Sequence, residues 1–266
     1  MLRLTTMAMT MLIAGPAFAQ DQLRELCADR PGLGTPACTV DPGHLQAEVG
    51  LGDWTLNKQR DSRTDTIEAG QVSLRYGVGT STELRLGWTA YGHVRERDRT
   101  SGLIDRTSGI GDVTVGLKQN VSHPDGSGLS LALLPYATLP SGRDGVGAGD
   151  WGAGLLAPVT YELSDNLTLE LTPEVDASVN EDGHGRHLAY GSVFGIQAKV
   201  TQKATITAEV QAIRDREPMQ HSTQALGALS LGYQIGDRSQ LDFGTFGGLN
   251  HNTPDVELSF GVVHKF

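Results

Sequence analysis

The chain has 266 residues, with 31 acidic against 21 basic side chains and a formal net charge of -10. That balance argues against nucleic acid as a partner, which needs clustered basic charge. Past the first 20 residues there is no run of 18 or more apolar residues, so no helix is long enough to cross a membrane. Glycine is 34 of 266, above the usual ~7%, which favours strands and turns.

The first segment, MLRLTTMAMTMLIAGPAFAQ, has a basic Arg3, an apolar stretch from Met7 to Ala14, a Gly15-Pro16 break and an Ala17-Phe18-Ala19 site before Gln20. This is the pattern of a secretory signal peptide, residues 1–19. Its removal takes away one positive charge, so the balance moves from -10 to -11. Residues 20–44 follow, with almost no alternation, three prolines (Pro31, Pro36, Pro42) and the only cysteines, Cys27 and Cys38. In an oxidising compartment these two should pair, and closing so short a loop contributes on the order of 3 kcal/mol. The crosslink and prolines predict a compact segment. With the N-terminus periplasmic, Arg24, Glu25, Asp29 and Arg30 could reach wall charges at the lower mouth of a barrel and form a removable plug; a tail hanging in the periplasm is the alternative.

From Leu45 to Phe266 the chain breaks into segments of strict period two, the pattern of transmembrane barrel strands. Twelve are expected, bounded by their apolar positions: 45–51, 72–78, 84–90, 113–121, 129–133, 155–163, 167–175, 190–200, 206–210, 229–235, 241–249 and 258–266. The connections after even-numbered segments are short: 79–81, 123–128, 164–166, 201–203 and 236–239. Those after odd-numbered ones are longer and polar: 57–65, 95–109, 141–150, 180–186, 215–222 and 250–255. Short turns on one rim and long loops on the other fit periplasmic and extracellular ends, and an even count puts both termini in the periplasm. The last segment, LSFGVVHKF, keeps alternating to Phe266, as it must if it closes the barrel against the first strand, since an open edge in lipid leaves backbone groups unpaired. A lipocalin-like barrel or a sandwich shares the alternation; strand number, loop asymmetry and the terminal aromatic favour an all-β, 12-stranded antiparallel up-and-down barrel of the outer membrane over residues 45–266.

ADRPGLGTPACTVDPGHLQAEVG (Ala28 to Gly50), GIGDVTVGLKQ (Gly109 to Gln119) and PYATLPSG (Pro135 to Gly142) resemble the outer-membrane transporter family described under the meta-pathway of phenol degradation. The resemblance runs over essentially the whole mature chain. It implies export to the outer membrane of a Gram-negative cell and a channel for small compounds, often aromatic. It also implies partners among outer-membrane lipids, lipopolysaccharide and, through Phe266, the barrel-assembly machinery.

If the apolar parity faces lipid, the other parity lines the lumen. It offers Arg75, Glu83, Arg85, Arg95, Asp112 and Lys118 on segments two to four, with Arg97 and Arg99 above, and Glu162, Glu170, Glu174, Asp176 and Glu209 on segments six to nine. One wall is then mostly basic and the other mostly acidic, a transverse field able to filter solutes by polarity. Pairing of these groups would instead fill the barrel and give it a structural role. No cofactor or metal site is expected; Glu181, Asp182, His184 and His187 are taken as ordinary polar loop residues. The chain lacks G-x-S-x-G, H-E-x-x-H, P-loop and dinucleotide motifs, so it is expected not to be an enzyme. His264 on the lipid parity is the one feature of a lipid-modifying hydrolase.

Overall fold

The computed structural model describes residues 23–266; the signal peptide and its cleavage site lie outside the described residues. The strands are β1 (Leu45–Lys58), β2 (Ser62–Gly77), β3 (Thr82–Asp98), β4 (Ile104–Gly109), β5 (Val113–Ser122), β6 (Leu129–Leu139), β7 (Gly152–Leu156), β8 (Val159–Ser164), β9 (Leu167–Val179), β10 (Arg186–Lys199), β11 (Ala204–Asp215), β12 (Ser222–Gln234), β13 (Ser239–Gly248) and β14 (Val256–Lys265). Each pairs antiparallel with its neighbours, and β14 pairs with β1, closing the sheet on itself. Two staves are split. β4 and β5 both pair with β3, and β7 and β8 both lie between β6 and β9, so fourteen strands make the twelve staves expected. The second split falls at Ala157–Pro158, inside what the alternation predicts as one strand, because Pro158 has no N–H for the ladder.

The side chains of the apolar parity stand outward, with Leu86 43%, Leu133 45%, Phe194 45% and Leu229 53% exposed. Exposed aliphatics form the band that faces lipid. Tyr76, Tyr161, Tyr233 and Phe266 gather at the short-turn rim, an aromatic girdle of the kind that marks a membrane interface. The backbone N–H of Phe266 donates to the carbonyl of Leu45 at 2.8 Å, so the last residue belongs to the closing seam.

Two expectations need correction. Loops 57–65 and 95–109 are mostly strand: β1 and β2 are joined by residues 59–61, and β3 and β4 by residues 99–103. Beyond the lipid the ladder no longer requires an apolar face, so the staves continue as polar hairpins that alternation does not reveal. The parity also slips. Gly50 and Asp53 both face inward across the irregularity at Gly52; opposite them stand Gln71 and Glu68 around Gly70, whose φ is +67°. On β3 the partners are Thr89 and Gly92. Above this kink odd-numbered residues of β2 and β3 face outward, as a one-residue slip requires.

Candidate functional site

The lumen is occupied. Residues 23–44 run up inside the barrel from the short-turn rim, and Cys27 and Cys38 are joined by a disulfide. The segment has little regular structure of its own, so its backbone polar groups must find partners elsewhere. The wall supplies them. Glu48 of β1 accepts from the N–H groups of Asp29 (3.1 Å) and Arg30 (3.0 Å). Glu83 of β3 accepts from Val40 (2.9 Å), and Glu209 of β11 accepts from Leu33 (2.9 Å) and Gly34 (2.8 Å). The carbonyls are met in turn by cations and amides: Cys27 by Gln46 (2.7 Å), Pro36 by Lys118 (2.9 Å), Ala37 by Asn120 (2.9 Å) and Arg24 by Lys265 (2.7 Å).

Arg75 is the centre of this seat. Fully buried on β2, it bonds Glu83 at 2.9 Å, Glu48 and Asp29 at 3.0 Å each, and the Cys27 carbonyl at 2.5 Å. Lys118 lies 3.6 Å from Glu83, and Arg85 bonds Asp29. The expected basic wall is therefore neutralised where it stands, by Glu83 and by Glu48 on the adjoining strand, with Asp29 brought in by the N-terminal segment. It does not confront the acidic wall across an open bore, so the transverse field expected from strand parity is cancelled at short range. Such a network costs much desolvation, which its ion pairs and hydrogen bonds offset only while every partner is in place.

A second contact lies higher. The Arg30 guanidinium reaches Asp53 and Asp242 at 3.3 Å each and Gln71 at 3.4 Å. Gly261 and Gly50 make room for it: a Cβ on Gly261 would lie 2.6 Å from Arg30 Nε. On the far wall Glu170 and Glu209 stand on either side of Gly195, their strands pairing with the same residue. Glu174 and Asp176 lie further toward the long-loop end. The Tyr136 hydroxyl donates to Asp176 at 2.6 Å, and Glu174 Oε1 is buried with no partner among the described residues.

Three further candidates sit elsewhere. Asp112 fastens the loop 140–151, accepting from the N–H groups of Gly142 and Ala148 at 2.7 Å each. Glu162 is exposed at the short-turn rim, where it accepts from the Gly128 N–H at 3.1 Å. Arg95 is not in the lumen: the slip of parity puts it on the outer face, 3.6 Å from Asp65, and Arg97 shares that face. Alternation also left out Gln46, Glu48, Asp242 and Lys265. They hold the polar parity of the first, eleventh and twelfth expected strands, so writing out that parity for every strand would have found them. Asp53 could not be found so, since it lies beyond the irregularity.

The segment leans mainly on β1, β2, β3, β5 and β14, reaches the other strands at Thr172, Lys199, Glu209 and Asp242, and leaves space beside those contacts. A cavity of ≈ 470 Å³ opens there, lined on the wall side by Thr160, Glu162, Thr168, Glu170, Gln197 and Lys199. It shares residues with two others, of ≈ 130 and ≈ 280 Å³, lined by Thr205 and Gln234. Hydroxyl, amide and carboxylate groups face this space; Lys199, 2.9 Å from Glu25, stands at its entrance.

Outside, His264 Nδ1 lies 2.8 Å from the Ser239 hydroxyl, and its ring meets Phe266 edge-on at 4.5 Å. Among the described residues no carboxylate bridges its other nitrogen. His187 lies 2.8 Å from Asp215 and 3.0 Å from Glu217, with Asn180 Oδ1 3.0 Å from its Nδ1.

The fold is shared with known barrels. An outer membrane channel from Pseudomonas putida F1 of the COG4313 group superposes with a TM-score of 0.70 at 15% identity, over 86% of this chain and 98% of that one. The NanC porin gives 0.52 at 10% identity over 84% and 100%. The translocator domain of the autotransporter NalP from Neisseria meningitidis gives 0.51 at 13% over 84% and 88%. No curated protein sequence matches. The family profile described as "Putative MetA-pathway of phenol degradation" matches residues 28–266, all of the barrel and most of the segment inside it, and the chain belongs to that family.

Proposed function

We propose that this chain is a passive channel of the Gram-negative outer membrane, closed in its periplasmic half by its own N-terminal segment, and that it is not an enzyme. The observation that carries the reading is the asymmetric filling of the lumen: most bonds of residues 23–44 go to β1, β2, β3 and β5, the far wall is touched at Thr172, Lys199 and Glu209, and a polar, partly acidic cavity is left beside those contacts. A barrel filled for structural reasons alone would gain nothing from that residual space. The segment works as a plug because its contacts are hydrogen bonds and ion pairs, which water and solute ions can replace, whereas an apolar plug would have to expose its surface to move. The family's description supports a small aromatic cargo, and the Thr, Gln and Glu lining fits one that carries hydroxyl or amine groups.

The test is planar-bilayer conductance of the full barrel beside a variant lacking Asp21 to Thr39, with heat-modifiable gel migration to show that both are folded. The deletion should raise single-channel conductance, and so should reduction of the Cys27–Cys38 bond. A folded deletion variant with unchanged, negligible conductance would mean that the barrel is not a channel. Release of fatty acid from outer-membrane lipid, lost in His264→Ala, would point to the hydrolase reading.

A further inference from the structure

The slip of parity on β2 and β3 collects arginines on the outer surface, above the lipid-facing band. Arg63 stands directly opposite Arg97, and Arg95 directly opposite Arg106, on three adjacent strands. Side chains so placed have Cβ atoms ~5 Å apart, and like charges in that position repel. Asp65 is the one carboxylate among them. It bonds Arg63 at 2.9 Å and lies 3.6 Å from Arg95. Arg97 and Arg106 are exposed, and among the described residues no carboxylate bridges either. On a chain of net charge -10, Asp65 is, among the described residues, the one carboxylate that bridges any of these four guanidinium groups. Immediately below, Ile67 (46% exposed) and Tyr91 (47%) end the apolar band, which sets the arginines at headgroup depth on the long-loop side. Arginine presents paired N–H donors that match phosphate oxygens, and an anion between the strands would turn two repulsive pairs into a clamp.

We propose that Arg63, Arg95, Arg97 and Arg106 form a site for the phosphate groups of a phosphorylated outer-leaflet glycolipid, lipopolysaccharide. The two arginine pairs take the phosphates at the inner end of the sugar headgroup, while the acyl chains lie against Ile67, Tyr91 and Trp54 below. The proposal rests on the long-loop rim being extracellular, but not on whether the barrel conducts.

The test is native mass spectrometry of the full-length protein in detergent, mixed separately with lipopolysaccharide, with its dephosphorylated form, with phosphatidylglycerol and with inorganic phosphate. Lipopolysaccharide should be retained at one molecule per barrel at about 0.15 M ionic strength, where exposed charge pairs are largely screened, and the dephosphorylated form should not. Arg97→Gln with Arg106→Gln should weaken retention at least about tenfold, and Arg97→Lys with Arg106→Lys should keep part of it, since lysine offers charge without the paired donors. Arg238→Gln, at the opposite rim, should leave it unchanged. Three outcomes would overturn the assignment: equal retention of the dephosphorylated glycolipid, equal retention of phosphatidylglycerol, or a folded Gln double variant that binds as the wild type does. Displacement of the glycolipid by millimolar inorganic phosphate would identify a free-anion site instead and overturn it too.

Discussion

Arg75 shows how much one side chain decides. It is wholly enclosed and shared by Glu48, Glu83 and Asp29, so Arg75→Met leaves the two buried wall carboxylates without their shared guanidinium and should cost about 3–5 kcal/mol. Urea unfolding in lipid vesicles would read this, and adding Glu48→Gln and Glu83→Gln to Arg75→Met should recover much of the loss; no recovery would mean that the arginine acts through packing. Asp41 gives a pH dependence. Burial pushes its carboxyl up, but the Arg24 backbone N–H and the Lys265 ammonium at 2.9 Å outweigh burial and hold it below the usual carboxylate value. A depressed value means that the ionised form is the one the fold binds. Its contribution is complete above the unfolded carboxylate range near about pH 4 and is lost as the pH falls through the folded value. The part of the acid response that Asp41 controls should therefore be absent at neutral pH and appear only below about pH 5, as a rise in conductance. Asp41→Asn should remove that part of the acid response; an identical acid limb in the variant would assign it to the wall carboxylates.

Strands and loops add constraints that single residues do not. Leu86 and Leu169 lie on the apolar parity facing lipid, so arginine at either should cost about 2–4 kcal/mol near mid-membrane. Arginine at Thr205, which faces the cavity beside the plug, has water to stand in and should cost far less in the same vesicle unfolding assay. Equal costs would contradict the assignment of faces. That assignment was legible in the sequence because lipid allows almost nothing polar outside, so parity reports the face directly. Where the lipid ends, the signal ends with it. The hairpin extensions on either side of the turns 59–61 and 99–103 were invisible and the slip around Gly52 and Gly70 was misread for this reason, whereas the break at Pro158 comes from its missing ladder donor. Arg95 was misplaced by that slip, not by its chemistry.

For the whole molecule, neutralisation of the basic wall by Glu48 and Glu83, which does not need the N-terminal segment, leaves the bore to Glu170, Glu174, Asp176 and Glu209. The deletion variant lacking Asp21 to Thr39 should accordingly favour cations in reversal-potential measurements, and Glu170→Gln should reduce that preference. Anion selectivity would mean that Arg75, Arg85 and Lys118, freed from Asp29, govern the bore. The sequence by itself determined the strand period, the closure of the last strand on the first, the rim with short turns and the family, because each is a local or composition-level consequence of burying backbone in lipid. Tertiary structure alone decided which lumen charges meet. Parity says that a side chain points inward but not what stands opposite, and here Glu48, Glu83 and Glu209 all accept from backbone groups of a segment with no period to read. Its seat depends on three-dimensional matching of unpaired amides to buried carboxylates.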